Sequence, residues 1–510
     1  MSDLPALLVV LPILGSLVSL LAGIRWDRSG WYVAAATLSV QVAGAVAFAA
    51  DGLSGAPGSY AVGDFTIPYG IELLVDGLSA TMVVLVAVVA LGVLAYARRA
   101  GPRSNRFYST YLLLVTGLTG MSITGDAFNM YVFLEITGLT AYALVASGEG
   151  GRSAVAGLKY LLVGTFGASL YLLGVGYAYI STGTLNMADL ANELAAVGYA
   201  SPLVRAAFAF IVVGLFVKVA MFPLHTWQPD AYAGAPDSVS ALIASLVSTV
   251  SAYALVRIVL TVFTPEFLDA VAFARPLLAA TAAVSIVVGS GLAVSQTNIK
   301  RMLAYSSVSQ FGLVVAALSV TNATALVGLT VHLVGHAVMK GGLFLAAGLV
   351  ATGVGGRSVA DYDGLGSRMP VAAAGFGTLA LGMVGVPPAI GFFGKWYIVV
   401  GTLEAGAWGL AIVILLSTLL TLAYFARLLE RMFFRETPAG AGTGSAADAD
   451  AAVADGGDGH DAGGDSLADR GVSLGMVAAV LAAALLAVGL GAAVPAYESA
   501  LAPTVEVLLS

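Results

Sequence analysis

The sequence predicts an all-α polytopic membrane protein. Of its 510 residues, 59% are hydrophobic and only 10% are charged, and the mean hydropathy is +0.95. Apolar runs of roughly 17 to 25 residues recur from Leu4 to Pro495, and each can cross a hydrocarbon core of about 30 Å as a helix. This composition lies far outside the range of water-soluble domains, and no segment remains for a soluble catalytic domain.

About 14 runs meet this length criterion. The first of them lacks a basic leading region and a small-residue cleavage site, so we expect it to be a retained helix rather than a signal peptide. The predicted spans are residues 4–23, 31–50, 73–97, 107–124, 127–147, 154–181, 203–226, 238–263, 273–294, 302–320, 322–350, 371–400, 407–434 and 472–495.

One long polar segment lies between the thirteenth and fourteenth spans. It carries seven aspartates and a single arginine, Arg470. Its Gly, Ala and Asp bias is typical of a hydrated, disordered loop. Adaptation to high salt, as in a halophile, is one interpretation, and a plain linker is the other. We therefore expect five regions: a three-helix segment at 1–106, five-helix units at 107–270 and 271–436, the acidic loop at 437–471, and a C-terminal helix and tail at 472–510.

Basic residues are distributed unequally between alternate loops. Loops after odd-numbered spans hold 15 of them, whereas loops after even-numbered spans hold only Arg205 and Arg275. Because basic loops remain in the cytoplasm, this asymmetry predicts a cell-membrane protein with both termini outside and the acidic loop inside.

Two spans are interrupted by proline. Pro223 interrupts the seventh span, and Pro387 and Pro388 interrupt the twelfth. Proline removes a backbone donor, so we expect both helices to be broken beside a polar cavity. Spans 4–8 and 9–13 each contain five helices with the break in the fourth, which is typical of an inverted repeat around an ion site. Two unrelated proline kinks are the alternative.

Lys218 lies in the apolar stretch GLFVKVAMFP of the seventh span, where a charge is costly and usually marks an ion path. Glu135, the acid inside the fifth span, is its expected counter-ion. Burial disfavours a charged lysine and a nearby carboxylate favours it, so movement of Glu135 relative to Lys218 would drive uptake and release of a proton. A fixed ion pair that holds two helices together is the alternative.

His332, His336 and Lys340 are spaced four residues apart and share one face of the eleventh span. Histidine titrates near neutral pH and can relay protons. Zinc binding is the less favoured alternative, because HLVGH lacks the glutamate of H-E-x-x-H. The chain has no cysteine, so no cofactor or metal is predicted and any redox chemistry belongs to a partner. His225 is expected near an entrance.

Several motifs resemble the antiporter-like membrane subunits shared by respiratory complex I, membrane-bound hydrogenases and Mrp-type multisubunit Na+/H+ antiporters. They are NMYVFLEI around Glu135, AGLKYLL around Lys159, KVAMFPLHTWQPDAY around Lys218, NIKRMLAYSSVSQFG, HLVGHAVMKGGLFL, and GVPPAIGFFGKW around Lys395. The resemblance covers roughly residues 70 to 430. It implies fourteen helices, two inverted five-helix repeats, and broken seventh and twelfth helices.

The resemblance also implies roles for individual residues. Glu135 and Lys218 match the family's coupled pair, Lys395 matches its terminal lysine, and His332 matches a connecting position. Lys395 is thus expected to be the counterpart of Lys218 in the second unit. The family usually has a further lysine on the eighth helix, where this chain has Thr249. A threonine cannot hold the proton, so water with His332 or another group is expected to continue the path.

Within the family, GDFTIPYGIELLVDGLSATM and TGTLNMADLA look most like the Mrp D subunit. The resemblance therefore implies a secondary transporter subunit, rather than an enzyme, that exchanges H+ for Na+ beside other membrane subunits in the lipid bilayer. A proton-pumping subunit of an NADH:quinone oxidoreductase or hydrogenase-type complex is the alternative, and a structural scaffold is a third. Nucleic acid is not an expected partner.

Overall fold

The computed structural model describes residues 3–54, 58–148, 150–436 and 471–509. These residues are mostly helical, and 12 of the helices that they form are long and apolar enough to cross a membrane. The predicted all-α polytopic class is confirmed. The predicted acidic loop lies outside the described residues, except for Gly471 at its end.

The N-terminal segment contains three long helices and one small hairpin. Strands β1 and β2 pair antiparallel, with Gly58 opposite Val75. β1 lies in a predicted loop, but residues 73–75 of β2 were predicted as the start of the third span, and the helix begins only at Gly77. We call the end of the helix bundle that carries this hairpin the hairpin face, and the opposite end the basic face. The elements are α1 (Leu4–Arg25), α2 (Gly30–Ser54), β1 (Gly58–Ala61), β2 (Glu72–Val75) and α3 (Gly77–Ala100).

The next region begins with α4 and ends with one long, interrupted helix. Between Asp237 and Ala270 the chain stays helical, with π-helical segments at Ile243–Val247 and Val259–Phe263. The helices are α4 (Asn105–Ile123), α5 (Ala127–Ala146), α6 (Gly151–Thr182), α7 (Met187–Val197), α8 (Pro202–Val219), α9 (Gln228–Gly234), α10 (Asp237–Leu242), α11 (Ser248–Ile258) and α12 (Thr264–Ala270).

The rest of the described chain consists mainly of long helices, and short turns join most of them. A 3₁₀ turn at Val359–Tyr362 precedes a very short helix. The helices are α13 (Ala274–Ser295), α14 (Ile299–Val320), α15 (Ala323–Val354), α16 (Leu365–Arg368), α17 (Pro370–Val384), α18 (Ile390–Glu404), α19 (Trp408–Phe434) and α20 (Leu474–Leu509).

Two of the predicted spans are absent from the 12 long apolar helices. The fourth corresponds to α4, which has 19 residues but includes many Ser, Thr and Gly residues. The twelfth is divided into α17 and α18, each of 15 residues, because the Pro387–Pro388 break falls between them. The total of 14 spans stays a prediction.

Two predicted helix ends and one predicted loop differ from the structure. The interrupted seventh span does not end at 226 but continues as α9 to Gly234. The last helix passes its predicted end at 495 and continues to Leu509, although Pro495 and Pro503 lie inside it. Tertiary contacts hold this extension, since Tyr397 donates to Glu498 at 2.6 Å and the backbone N of Gly77 donates to Thr504 at 2.9 Å. The predicted loop after the sixth span contains the amphipathic helix α7.

The seventh and twelfth spans are both interrupted, as predicted, and in the same way. Helix α8 is capped by Ala220 and helix α17 by Gly385, and both cap residues lie in the left-handed region, at φ 63° and 102°. In each case the next backbone N–H reaches back to a carbonyl in the last turn, from Met221 to Phe216 at 2.9 Å and from Val386 to Leu381 at 3.0 Å. This is the Schellman arrangement that ends a helix and leaves later carbonyls free to accept other donors.

Two isolated backbone bridges occur at corresponding places. Asp126 caps the N-terminus of α5 and pairs with Asn186 after α6, and Asn298 caps α14 and pairs with Ser358 after α15. The first bridge lies at the hairpin face, where Gly125 donates to Glu72 beside β2. The second lies at the opposite face of the bundle.

Candidate functional site

Lys218 and Glu135 form the first part of the site. Lys218 is in the last turn of α8 and only 6% exposed. Its Nζ lies 3.6 Å from Oε1 of Glu135 and donates to the Tyr142 hydroxyl at 3.1 Å, and both partners belong to α5. The expected counter-ion of Lys218 is therefore beside it, and a neutral hydroxyl shares the ammonium group.

Lys395 forms the second part, on α18. It is 6% exposed, and its Nζ donates to the carbonyls of Met383 at 2.8 Å and Val384 at 3.0 Å. These are the last carbonyls of α17, so the lysine crosses the break and caps the helix before it. A cation is favoured there because the C-terminal end of a helix carries partial negative charge.

His332 and His336 lie between these lysines on α15, and both are buried. Neither ring has a hydrogen-bond partner of ordinary geometry among the described residues, and the two ring centroids are 6.4 Å apart. One turn further on, Lys340 donates to the carbonyl of Leu303 at 2.7 Å and to the hydroxyl of Ser306. The predicted common face of these three residues is thus directed into the protein.

Close helix packing brings His332 to Lys395. A Cβ atom added at Gly394 would lie 2.9 Å from the Cα of His332, and one added at Gly328 would lie 2.6 Å from the backbone N of Ile398. Small residues at such positions let two membrane helices approach closely. Helix α18 is therefore fixed directly against α15.

Other buried polar atoms lie between the two lysine sites. The hydroxyl of Thr249 and the side-chain amide of Gln310 are buried and make no hydrogen bond within the described ranges. Buried polar groups nearly always have a partner, and ordered water supplies it where protein does not. These side chains suit a hydrated path, although Thr249 holds no proton itself.

Lys159 and His225 lie towards the basic face. Lys159 is not buried: it borders an open cavity of about 1020 Å³ and lies 2.5 Å from Asp230, which also binds Arg301 at 2.7 Å. His225 lies in the turn between α8 and α9 rather than at the end of a helix, with its ring 5.9 Å from that of Tyr305.

Two further ion clusters were not predicted from the sequence. At the basic face, Asp237 binds Lys300 at 3.1 Å and Arg357 at 2.5 Å, and hydrogen bonding to this carboxylate raises the pKa of Arg357. Towards the hairpin face, Arg257 binds Asp76. An arginine inside the eighth apolar span was a signal of the same kind as Lys218 and could have been noticed. The pairings could not, because Asp76 and Asp237 lie at the ends of predicted spans, where acidic residues are common.

The arrangement suits proton transfer. It contains amines, a carboxylate and imidazoles, all of which bind and release protons, and it buries them where neighbouring charges control their proton affinity. No group of three or more potential metal ligands occurs among the described residues. Fold and site together define a polytopic membrane subunit of the ion-translocating class.

Comparison with known proteins gives the family. Residues 124–421 match the family described as NADH:quinone oxidoreductase/Mrp antiporter, TM, and the chain belongs to it. NADH-quinone oxidoreductase subunit N of Desulforudis audaxviator is 46% identical over 86% of this chain and 88% of its own length. The D subunit of the Na+/H+ antiporter of Bacillus subtilis is 32% identical over 74% of this chain and 77% of its own length.

A solved structure has the same fold along the whole chain. It is a chain of the membrane-bound sulfane sulfur reductase, an archaeal respiratory membrane complex, with a TM-score of 0.87, 28% identity, and coverage of 100% of this chain and 98% of that chain. The predicted family is confirmed by these comparisons. The predicted closer likeness to the Mrp D subunit is not, because the oxidoreductase relative matches at the higher identity.

Proposed function

We propose that this chain is a proton-translocating membrane subunit of a larger membrane complex. The observation that carries the proposal is the buried contact of 3.6 Å between Lys218 Nζ and Glu135 Oε1 beside a broken helix. Protons would be taken up towards Lys218 under the control of Glu135. They would pass by water and His332, with His336 and Lys340 on the same helix face, to Lys395.

The proposed uptake route begins at the basic face. The cavity bordered by Lys159 opens there. His225 follows the break in the chain, between α8 and α9, and its buried Nδ1 has no partner in the described part of the chain. A histidine at this place can accept and pass on a proton near neutral pH. The positive-inside rule makes this face cytoplasmic, with both termini outside.

We further propose that the path lies between two inverted five-helix units, 107–270 and 271–436. The two helix breaks are built alike, and the two backbone bridges each join the cap of one helix to the end of the next. The bridges lie at opposite faces, as inverted units require. Ion sites are commonly found where such units meet around broken helices.

Two kinds of complex supply different driving forces for the same path. The 46% identity to an NADH-quinone oxidoreductase subunit N favours a redox complex, in which electron transfer in partner subunits drives the protons. The 32% identity to the D subunit of an antiporter supports the second candidate, in which Na+ moves in exchange. Both need other membrane subunits as partners.

The first experiment replaces Glu135 by Gln and Lys218 by Ala, separately, in the intact complex. Proton transport is followed with a pH-sensitive dye in sealed vesicles, once with a redox donor and once with a Na+ gradient. We expect each substitution to reduce transport by about tenfold or more, because a proton-binding group in the path is lost. If the unsubstituted complex transports protons with the redox donor, it is a redox complex; if it does so with the Na+ gradient, it is an antiporter. The subunits that copurify with it give a second identification.

Arg435→Gln is the matched control. It also removes a charge from an ion pair, 3.0 Å from Glu430, but this pair is half-exposed at the end of α19. It should assemble and transport like the parent. Normal assembly together with normal transport in both the Glu135 and Lys218 variants would leave only the scaffold role and contradict the proposal.

A further inference from the structure

Arg257 is the one arginine that is buried among the described residues, with 2% of its surface exposed. Its Nη1 donates to Asp76 Oδ2 at 2.7 Å and its Nη2 donates to Asp76 Oδ1 at 2.9 Å. This bidentate pair joins the end of α11 to the start of α3, near the hairpin face. None of the proposed transport steps uses it.

Arg257 ends a polar column on α11. Thr249, Tyr253 and Arg257 are spaced four residues apart and therefore share one helix face over about 12 Å. The column begins at the partnerless hydroxyl of Thr249, and α11 packs against α8, the helix of Lys218. It runs from the interior of the bundle towards the hairpin face, where Arg257 meets Asp76.

Tyr253 and Arg257 are closed to a passing proton. The Tyr253 hydroxyl accepts from Arg257 Nε at 3.2 Å and Nη2 at 3.1 Å, and it donates to the carbonyl of Ser122 at 2.6 Å. Hopping of a proton along hydrogen bonds needs a group that both accepts and donates. A guanidinium group has donors only, and it keeps its charge at all accessible pH values.

The acid of the pair is equally constrained. Asp76 Oδ1 also accepts from the backbone N–H groups of Leu78 at 3.0 Å and Ser79 at 2.8 Å, so this carboxylate caps α3 as well as binding Arg257. The guanidinium lies between this carboxylate and Tyr253. A proton moving outward from Thr249 would therefore meet the fixed positive charge before it met the acid.

We propose that Arg257, held by Asp76, is a fixed-charge seal that closes the hairpin-face end of this column. It would deny protons that reach Lys218 a short exit through the first unit and so direct them towards His332 and Lys395. An arginine can exclude protons and cations from a membrane pathway in this way. The inference rests on the proposed proton path through Lys218.

The test measures passive proton entry into liposomes that contain the whole complex, with a potassium diffusion potential and neither a redox donor nor a Na+ gradient. The double variant Arg257→Gln/Asp76→Asn removes both charges but keeps polar side chains. We expect it to raise passive proton flux by about tenfold or more, because the fixed cation is gone. Adding Lys218→Ala to this variant should return the flux to the parent's value.

Asp76→Asn alone is the matched control. It breaks the ion pair just as the double variant does, and asparagine is also a good N-cap, but the guanidinium remains. It should stay tight. A leak from Asp76→Asn that equals that of the double variant would mean that loosened packing, not loss of the cation, opens the path, and would overturn the seal.

Two other outcomes overturn the inference. One is a double variant that assembles and stays tight, and the other is a leak that persists after Lys218→Ala. Neither outcome decides the proposed function. That function is judged by driven transport in the single variants Glu135→Gln and Lys218→Ala.

Labelling keeps the inference testable if the double variant does not assemble. Because the chain has no cysteine, Thr249→Cys gives a single reactive site in this subunit. A membrane-impermeant thiol reagent added at the hairpin face should leave this cysteine unmodified while Arg257 is present. Labelling from that face would overturn the seal.

Discussion

The two broken helices are built alike but hold their lysines differently. Lys218 lies five residues before Pro223, and a carboxylate 3.6 Å away balances its charge. Lys395 lies seven residues after Pro388, and the carbonyls that end α17 balance it at 2.8 and 3.0 Å. The two lysines are therefore not at equivalent positions, contrary to the expectation that Lys395 is the counterpart of Lys218. The residue seven positions after Pro223 is Asp230.

This difference suggests different work for the two lysines. Glu135 is a side chain that can move or take up a proton itself, so the charge balance of Lys218 can change during a cycle. The carbonyls around Lys395 are part of the backbone and keep a constant partial charge. The first break thus suits a controlled step, and the second suits a fixed acceptor.

At both breaks the half-helix that carries the lysine packs through glycine. A Cβ atom added at Gly214 on α8 would lie 2.6 Å from the carbonyl O of Gly167 on α6. At the second break the corresponding close contacts involve Gly394 on α18 and Gly328 on the neighbouring helix α15. Each lysine is therefore carried by a rigidly supported segment, whichever side of the break it occupies.

The largest effect is expected when each lysine is replaced by arginine. Lys218→Arg and Lys395→Arg keep the positive charge but remove the ability to release a proton, so we expect at least about a tenfold loss of driven proton transport in both. Dye-based transport, with assembly checked by native gel, measures this. Lys300→Arg is the control, since Lys300 is also buried and bound to a carboxylate but lines the entry cavity rather than the buried path from Lys218 to Lys395. Normal transport in Lys395→Arg would mean that Lys395 only caps α17 and does not carry the proton.

A smaller effect is expected from crowding the second break. Gly328→Ala would push its methyl group against the backbone of Ile398, one turn from Lys395, and we expect a loss of about 1–3 kcal/mol in stability from overpacking. Thermal unfolding of the purified complex measures this loss. At Gly176 on α6 an added Cβ has no neighbour within 4 Å, so Gly176→Ala should unfold like the parent. Equal stability of the two variants would contradict the close α15–α18 contact.

The smallest effect is expected at Asp230. This acid and its two cations are each about a third exposed, so Asp230→Asn should cost about 1 kcal/mol or less. Thermal unfolding of the purified complex measures this cost. Lys395 lies at the same distance after the other break, and Lys395→Met should lower the stability clearly more than Asp230→Asn does. A loss at Asp230 as great as that at Lys395 would remove the distinction between the two positions.

Much of the fold could be predicted because its signals are local. Hydropathy located nearly every long helix, and proline located both breaks. The hairpin at 58–75, the helix α7 and the extension of α20 were missed. They depend on contacts with distant residues, such as that between Tyr397 and Glu498, which leave no mark in a short window of sequence.

The sequence by itself determined the membrane class, the broken helices and the family, because apolar length, proline chemistry and motifs act within one segment. It also indicated the Glu135–Lys218 contact, since few ionisable groups lie in apolar spans. Only the tertiary structure decided which carbonyls receive Lys395 and which acid holds Arg257. Those partners are chosen by how helices pack, and one acid at the end of a span looks like any other until packing brings a cation to it.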